Sequence, residues 1–199
     1  MKKILPALLA LIIIAAPLNA QAADYYAAKE PILAYDAYVF FVSVINPRVS
    51  PLEAISYAEE VGLISSEYVT AYRHETGRYL DLDAHMTRQE FAMAAERTLH
   101  ILKRLSIEYT LSDIAPIEGD LFALFADGPE IRKSARSAVE FAVNAGIIKL
   151  YSIDSSYFTM PDTVITIDEI ADFIAAVNLD AHLELTSYSS AQLRKHEGR

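Results

Sequence analysis

The chain contains no cysteine. That excludes a disulfide framework and thiolate chemistry, and leaves no lipobox cysteine for a lipid anchor. It also lacks a Ser-His-Asp pattern, a phosphate-binding loop and a nucleophile elbow, so no motif announces catalysis. Positive charge is scarce. Seventeen Lys and Arg stand against 27 Asp and Glu, a net charge of −10. Nucleic acid is a poor partner for such a surface. Beyond the N-terminus no hydrophobic run is long enough to span a membrane, and no long alternating strand series suggests an outer-membrane barrel. Without disulfides, stability has to come from burial, which a 53% hydrophobic composition can supply.

The one long apolar run is Ile4 to Ala16, behind Lys2 and Lys3 and ahead of Ala20-Gln21-Ala22. A charged start, an apolar stretch and a small-x-small site make a secretory signal peptide over residues 1–22. The expected mature chain has 177 residues, with 15 basic against 27 acidic side chains and a charge of −12.

Residues 23–47 carry Tyr25, Tyr26, Tyr35, Tyr38, Phe40 and Phe41. Pro31 predicts the first turn of a helix running to Ile45, whose aromatics serve as core or docking surface. Ser50-Pro51-Leu52-Glu53 predicts a capped helix to Val61, ended by Gly62. Ser65 to His85 reads as a polar loop. Met86-Thr87-Arg88-Gln89-Glu90-Phe91 is a helix start with a Thr87/Glu90 capping box, Arg88 beside it and free to point outward. Apolar spacing carries that helix to Leu105. Residues 107–128 form a connector. Asp127-Gly128-Pro129-Glu130 reads as the start of a helix to Ala145, ended by Gly146. Thr166 and Glu169 repeat the capping box ahead of Ile170, Phe173, Ile174 and Val177.

The chain repeats itself. With Gly62 placed on Gly146, Ala58 meets Ala142 and Leu63-Ile64 meets Ile147-Ile148. With Thr87 placed on Thr166, Tyr79 meets Phe158, Met86 meets Ile165 and Glu90 meets Glu169. The loop between the anchors is five residues longer in the first copy. Each unit reads as helix, glycine stop, apolar pair, loop with an aromatic that plugs the space beneath it, capping box, helix.

This pattern resembles the S-layer homology (SLH) domain over residues 48–178. The resemblance rests on Ser112-Asp113-Ile114, Ala142 to Ile148, Phe158-Thr159-Met160-Pro161, Ile165-Thr166 with Glu169, Gly62-Leu63-Ile64 and Met86-Thr87-Arg88-Gln89-Glu90. It implies a mainly α fold: two helix–loop–helix repeats, residues 48–106 and 107–180, packed as a helical bundle. The aromatic N-terminal segment and the 181–199 tail are the candidates for completing it to a pseudo-trimer. It also implies attachment to the cell envelope through an anionic wall-linked polysaccharide held between units. The family arginine falls on Arg88, and a guanidinium can grip a carboxylate bidentately. The chain departs from the family at Ile167, which stands where the second arginine would be. It departs again at Ser50 and Ser134, which take the tryptophan position.

The expectation is an exported, non-catalytic protein of the cell wall, cell surface or periplasm. It would bind cell-wall polysaccharide or peptidoglycan through Arg88, with Arg73 and Arg78 as weaker contacts beside Tyr68, Tyr72, Tyr79 and His74. The alternative is a structural or protein-interaction module that docks another envelope protein and has lost the glycan site. No cofactor or metal is expected. Asp81-Leu82-Asp83 opens like a calcium loop, but Met86 and Ala92 occupy the positions that need a glycine and an acid. The five histidines show no metal-ligand spacing.

Overall fold

The computed structural model describes residues 31–111, 124–153 and 156–179. The expected signal peptide at residues 1–22, Ser112-Asp113-Ile114 and the 181–199 tail lie outside the described residues. The protein is mainly helical. Helix α1 spans Ala34–Ile45, and ten of its twelve residues are buried. A helix apolar on every side has to be surrounded, so its aromatics are core. Pro31 does not open it. Residues 31 to 33 are extended, because Pro31 bridges to Thr166 and Leu33 to His85.

Helix α2 spans Ala54–Val61 and stops at Gly62, whose φ of 84° is left-handed. Ser50 was expected to cap it. Instead the Ser50 hydroxyl donates to Glu53 Oε2 at 2.6 Å, within the turn that precedes the helix. A further helix, α3, spans Ser66–Thr76, inside the stretch read as loop. Ser65 accepts from the Tyr68 N–H to cap it, and Gly77 ends it at φ 69°. Only Tyr68 in it is buried, so the apolar period that would betray it in sequence is weak. Helix α4 spans Arg88–Arg104, with the Thr87/Glu90 box formed as expected.

Strand β1 covers Tyr109–Leu111. The predicted start at Asp127 gives only two short 3₁₀ turns, Gly128–Glu130 and Lys133–Ala135, before α5 at Arg136–Asn144. Strands β2 (Tyr151–Ile153) and β3 (Ser156–Phe158) pair antiparallel as a hairpin in the second loop. Helix α6 spans Ile167–Ala176 behind its own capping box. Strand β4, Val177–Leu179, pairs antiparallel with β1.

The starts of α1, α4 and α6 meet in a closed ring of backbone hydrogen bonds. The Ile32 N–H donates to the Ile165 carbonyl at 3.0 Å, Ile165 to Met86 at 2.9 Å, and Met86 to Ile32 at 3.0 Å. Beneath the ring, Phe41, Phe91 and Phe173 interlock, with ring centroids 5.3 to 6.3 Å apart. Tilted and edge-on contacts of this kind are the favourable ones. Helix α2 packs on α1, and α5 packs on α4.

The two stretches aligned by sequence share backbone detail. The Ile64 N–H donates to Ala58, and the Ile148 N–H to Ala142, both at 3.0 Å. Ala58 and Ala142 are both fully buried. Gly62 and Gly146 both have left-handed backbones. The loop aromatics differ: Phe158 is half-buried, whereas Tyr79 is 68% exposed and plugs nothing. Helix α3 explains this, because Tyr68 fills the space under the first loop while Tyr79 lies beyond the end of that helix.

Candidate functional site

Arg88 does not point outward. It is 1% exposed, held at the junction between α4, the second loop and α6. Nη1 donates to the Thr159 carbonyl, and Nη2 donates to the Lys149 carbonyl at 2.7 Å. Nε lies 3.4 Å from Glu169 Oε1. The Tyr151 ring lies over the guanidinium, 4.9 Å from its centre. Burial lowers its proton affinity, and Tyr151, Glu169 and Asp127 oppose that. The expectation that Arg88 stands free to hold a glycan is therefore corrected: its fork is spent on the protein's own carbonyls. A buried ion pair persists only when hydrogen bonds satisfy the remaining polar atoms; here two backbone oxygens satisfy Nη1 and Nη2, while Nε faces Glu169 without a hydrogen bond.

The loop that receives Arg88 is fixed from behind by Asp127. The Thr159 N–H and hydroxyl donate to Asp127 Oδ1 at 3.1 and 3.2 Å, and the Met160 N–H donates to Oδ2 at 2.6 Å. Met160 has φ 51°, a conformation that side chains disfavour. The carboxylate holds it there. Asp127 is buried, and through the Thr159 segment it joins Arg88 and Glu169 in one polar network that draws on residues from 88 to 169. Sequence reading took Asp127 for a helix cap. Nothing local marks its partners, which lie 32 and 33 residues away.

A second arginine, Arg132, plays a similar part at the first unit. Its Nη2 is 3.4 Å from Glu90 Oε1, and its guanidinium lies 4.9 Å from the Tyr72 ring. Gln89 ties the same segment down. It accepts from the Arg132 N–H at 3.1 Å and donates to Asp162 at 2.6 Å. Glu75 of α3 accepts from both the N–H and the hydroxyl of Ser134. Neither Arg132 nor Gln89 was singled out from sequence.

The remaining predicted cations are on the surface. Arg73, His74 and Arg78 are exposed around the end of α3. The Arg73 guanidinium sits 4.4 Å from the centre of the exposed Tyr79 ring. Tyr68 and Tyr72 turn inward, towards Arg97 and Arg132, and do not join this patch. Asp81 has a local role: its carboxylate accepts from the Asp83 N–H at 3.0 Å. His74, His85 and His100 are exposed, and no group of three metal-ligating side chains occurs among the described residues. Among the described residues no helix is long and apolar enough to cross a membrane. Comparison with protein-family models, curated proteins and solved structures finds no match.

Proposed function

We propose that this is an exported, non-catalytic protein that associates with the cell envelope by binding cell-wall polysaccharide or peptidoglycan. The reading rests on the likeness of its two units to SLH repeats. The three-way ring of backbone hydrogen bonds at Ile32, Met86 and Ile165 supports it, because in this reading the α1 segment stands in for a third unit. The contact surface is the patch of Arg73, Arg78 and Tyr79. The observation that carries this choice is the exposed Tyr79 ring stacked against the Arg73 guanidinium. A sugar can lie against the ring, while the two guanidinium groups meet its carboxylates. On a chain of net charge −10 such a patch is a local exception, and it faces solvent.

Co-sedimentation with purified sacculi, with and without the wall-linked polymer, tests both parts. The wild type should be retained. Arg73→Ala combined with Arg78→Ala should release most of it, and Tyr79→Ala a smaller share. A wild type that stays in the supernatant overturns the function. Full retention of the variant that combines Arg73→Ala with Arg78→Ala overturns the site and leaves envelope binding to another surface.

A further inference from the structure

The starts of α1, α4 and α6 are joined by one repeated step. Each cap residue pairs with the residue two before the next cap: Leu33 with His85, Thr87 with Val164, and Thr166 with Pro31. The first N–H of each helix follows suit where both partners are described. Ala34 donates to Ala84 at 2.8 Å, and Arg88 to Thr163 at 2.9 Å. Side chains take the same step. Arg88, first in α4, reaches Glu169, third in α6. From α1 to α4 the step runs from Ala34 to Glu90. Alanine is too short, and Arg132 supplies the charge from another segment. From α6 to α1 the step runs from Ile167 to Asp36, and no charge arrives. Ile167 and Asp36 are each only 5% exposed. Among the described residues no ion pair or hydrogen bond reaches the Asp36 carboxylate.

We propose that Asp36 makes the joint between α1 and α6 a pH-sensitive switch, closed while its carboxyl holds a proton and loosened once it ionises. An ionised carboxylate out of water needs a cation or donors, and this joint offers an isoleucine. The cations on the elements packed against α1 are engaged or remote: Arg88 holds Glu169, Arg97 donates to the Leu63 carbonyl, and His85 is exposed. The acids there add no compensation. Asp81, Asp83 and Asp168 are exposed, as are Glu59 and Glu60 of α2, while Glu90 has its own arginine. Within α1 the Tyr35 phenol is occupied, donating to the Pro51 carbonyl. Burial accordingly pushes the Asp36 carboxyl above the ordinary 3.8. The fold favours the protonated acid. Its contribution is complete below the unfolded value and is lost as pH rises through the higher folded one.

In the full chain, Asp36→Asn keeps the side-chain shape and removes the charge. At pH 7 the Ile32 amide, whose bond to Ile165 closes this joint, should exchange several-fold more slowly in the variant. The urea midpoint should rise with it. Both differences should vanish as the pH falls to about 4, where the wild type takes up its proton. Ile167→Arg supplies the missing cation, and it should cost less in the wild type than in the Asp36→Asn background. Faster exchange in Asp36→Asn at pH 7, or a difference that does not move with pH, would overturn the switch. So would an equal cost of Ile167→Arg in the two backgrounds. If Ile167→Arg does not fold, the pH profile of Asp36→Asn decides alone.

Discussion

Glu90 and Glu169 hold the same place in α4 and α6. Each uses Oε2 to accept from its cap backbone N–H, at 2.8 and 2.9 Å, and each has an arginine 3.4 Å from Oε1. The arginines differ. Arg88 also donates to two backbone carbonyls, and its side chain is 2% exposed; Arg132 leans on a tyrosine ring at 12% exposure. One carboxylate design thus serves two joints, a sealed one to the second loop and a looser one to α3. A buried guanidinium with three partners cannot be removed without stranding them, whereas Arg132 strands fewer, since its Nε and Nη2 are buried without a hydrogen bond.

That contrast sets the largest predicted effect. Arg88→Ala should destabilise by roughly 3–5 kcal/mol, the scale for breaking a buried pair. Arg88→Lys should recover little, because an ammonium lacks the fork that spans two carbonyls and a carboxylate. Arg132→Ala should cost less, about 1–3 kcal/mol, the scale for leaving one largely buried acceptor without its partner. Urea denaturation of the three variants decides. Equal losses at the two sites would mean that burial does not distinguish the joints.

Asp127 is the buried support of the sealed joint, whereas Glu75, which accepts from Ser134 at the looser one, is exposed. Asp127→Ala leaves three donors of Thr159 and Met160 unpaired and should cost about 2–3 kcal/mol. Hydrogen exchange should rise at Thr159 and Met160 before it rises in α3. If α3 loosens first, the loop does not depend on Asp127.

How legible this was in the sequence follows from how local each signal is. Both capping boxes, the Gly62 and Gly146 stops and the buried apolar pairs are spelled within six residues, and all of them form. Ser50 and Asp127 carry the same kind of local signal, yet each took another partner. For Asp127, a hydrogen-bonding demand 32 residues away outweighed the cap. Helix α3 was missed because only Tyr68 in it is buried, with Val69 and Tyr72 half-buried against the core, which leaves a weak period to read. Arg88 was found by its place beside a cap. Its role was misjudged because the carbonyls it binds, at Lys149 and Thr159, are backbone atoms that no side-chain pattern reveals. The Arg73–Tyr79 patch was legible as composition, and its stacking was not.

The glycine stops offer a smaller test of the likeness between units. Gly62 at φ 84° and Gly146 at φ 70° each permit the left-handed turn into the apolar pair. A Cβ at Gly62 would meet nothing within 4 Å, so Gly62→Ala tests backbone strain alone. It should cost about 1 kcal/mol, the left-handed penalty for an L-residue. Gly146→Ala should match it in a thermal melt if the two turns do the same work. A loss at only one of them would separate the units.

At neutral pH the mildest change should be Tyr38→Phe, and it sharpens the comparison only at alkaline pH. Burial, helped by neighbouring Tyr68, pushes the Tyr38 phenol well above the ordinary 10.0. The protonated phenol is therefore the form the fold favours. Its contribution is complete below the unfolded value near 10.0 and is lost as pH rises through the higher folded value. Tyr68 is shifted the same way for the same first cause. Both side chains pack among α1, α3 and α4, on the side of the looser joint. Stability of the wild type should fall as pH climbs past about 10, and Tyr38→Phe should flatten that fall by removing one proton from the linkage. Urea midpoints measured from pH 8 to 11 give the slope. An unchanged slope would show that the unfolded chain gains nothing by ionising this phenol, and that Tyr38 reaches solvent when the looser joint opens ahead of the rest.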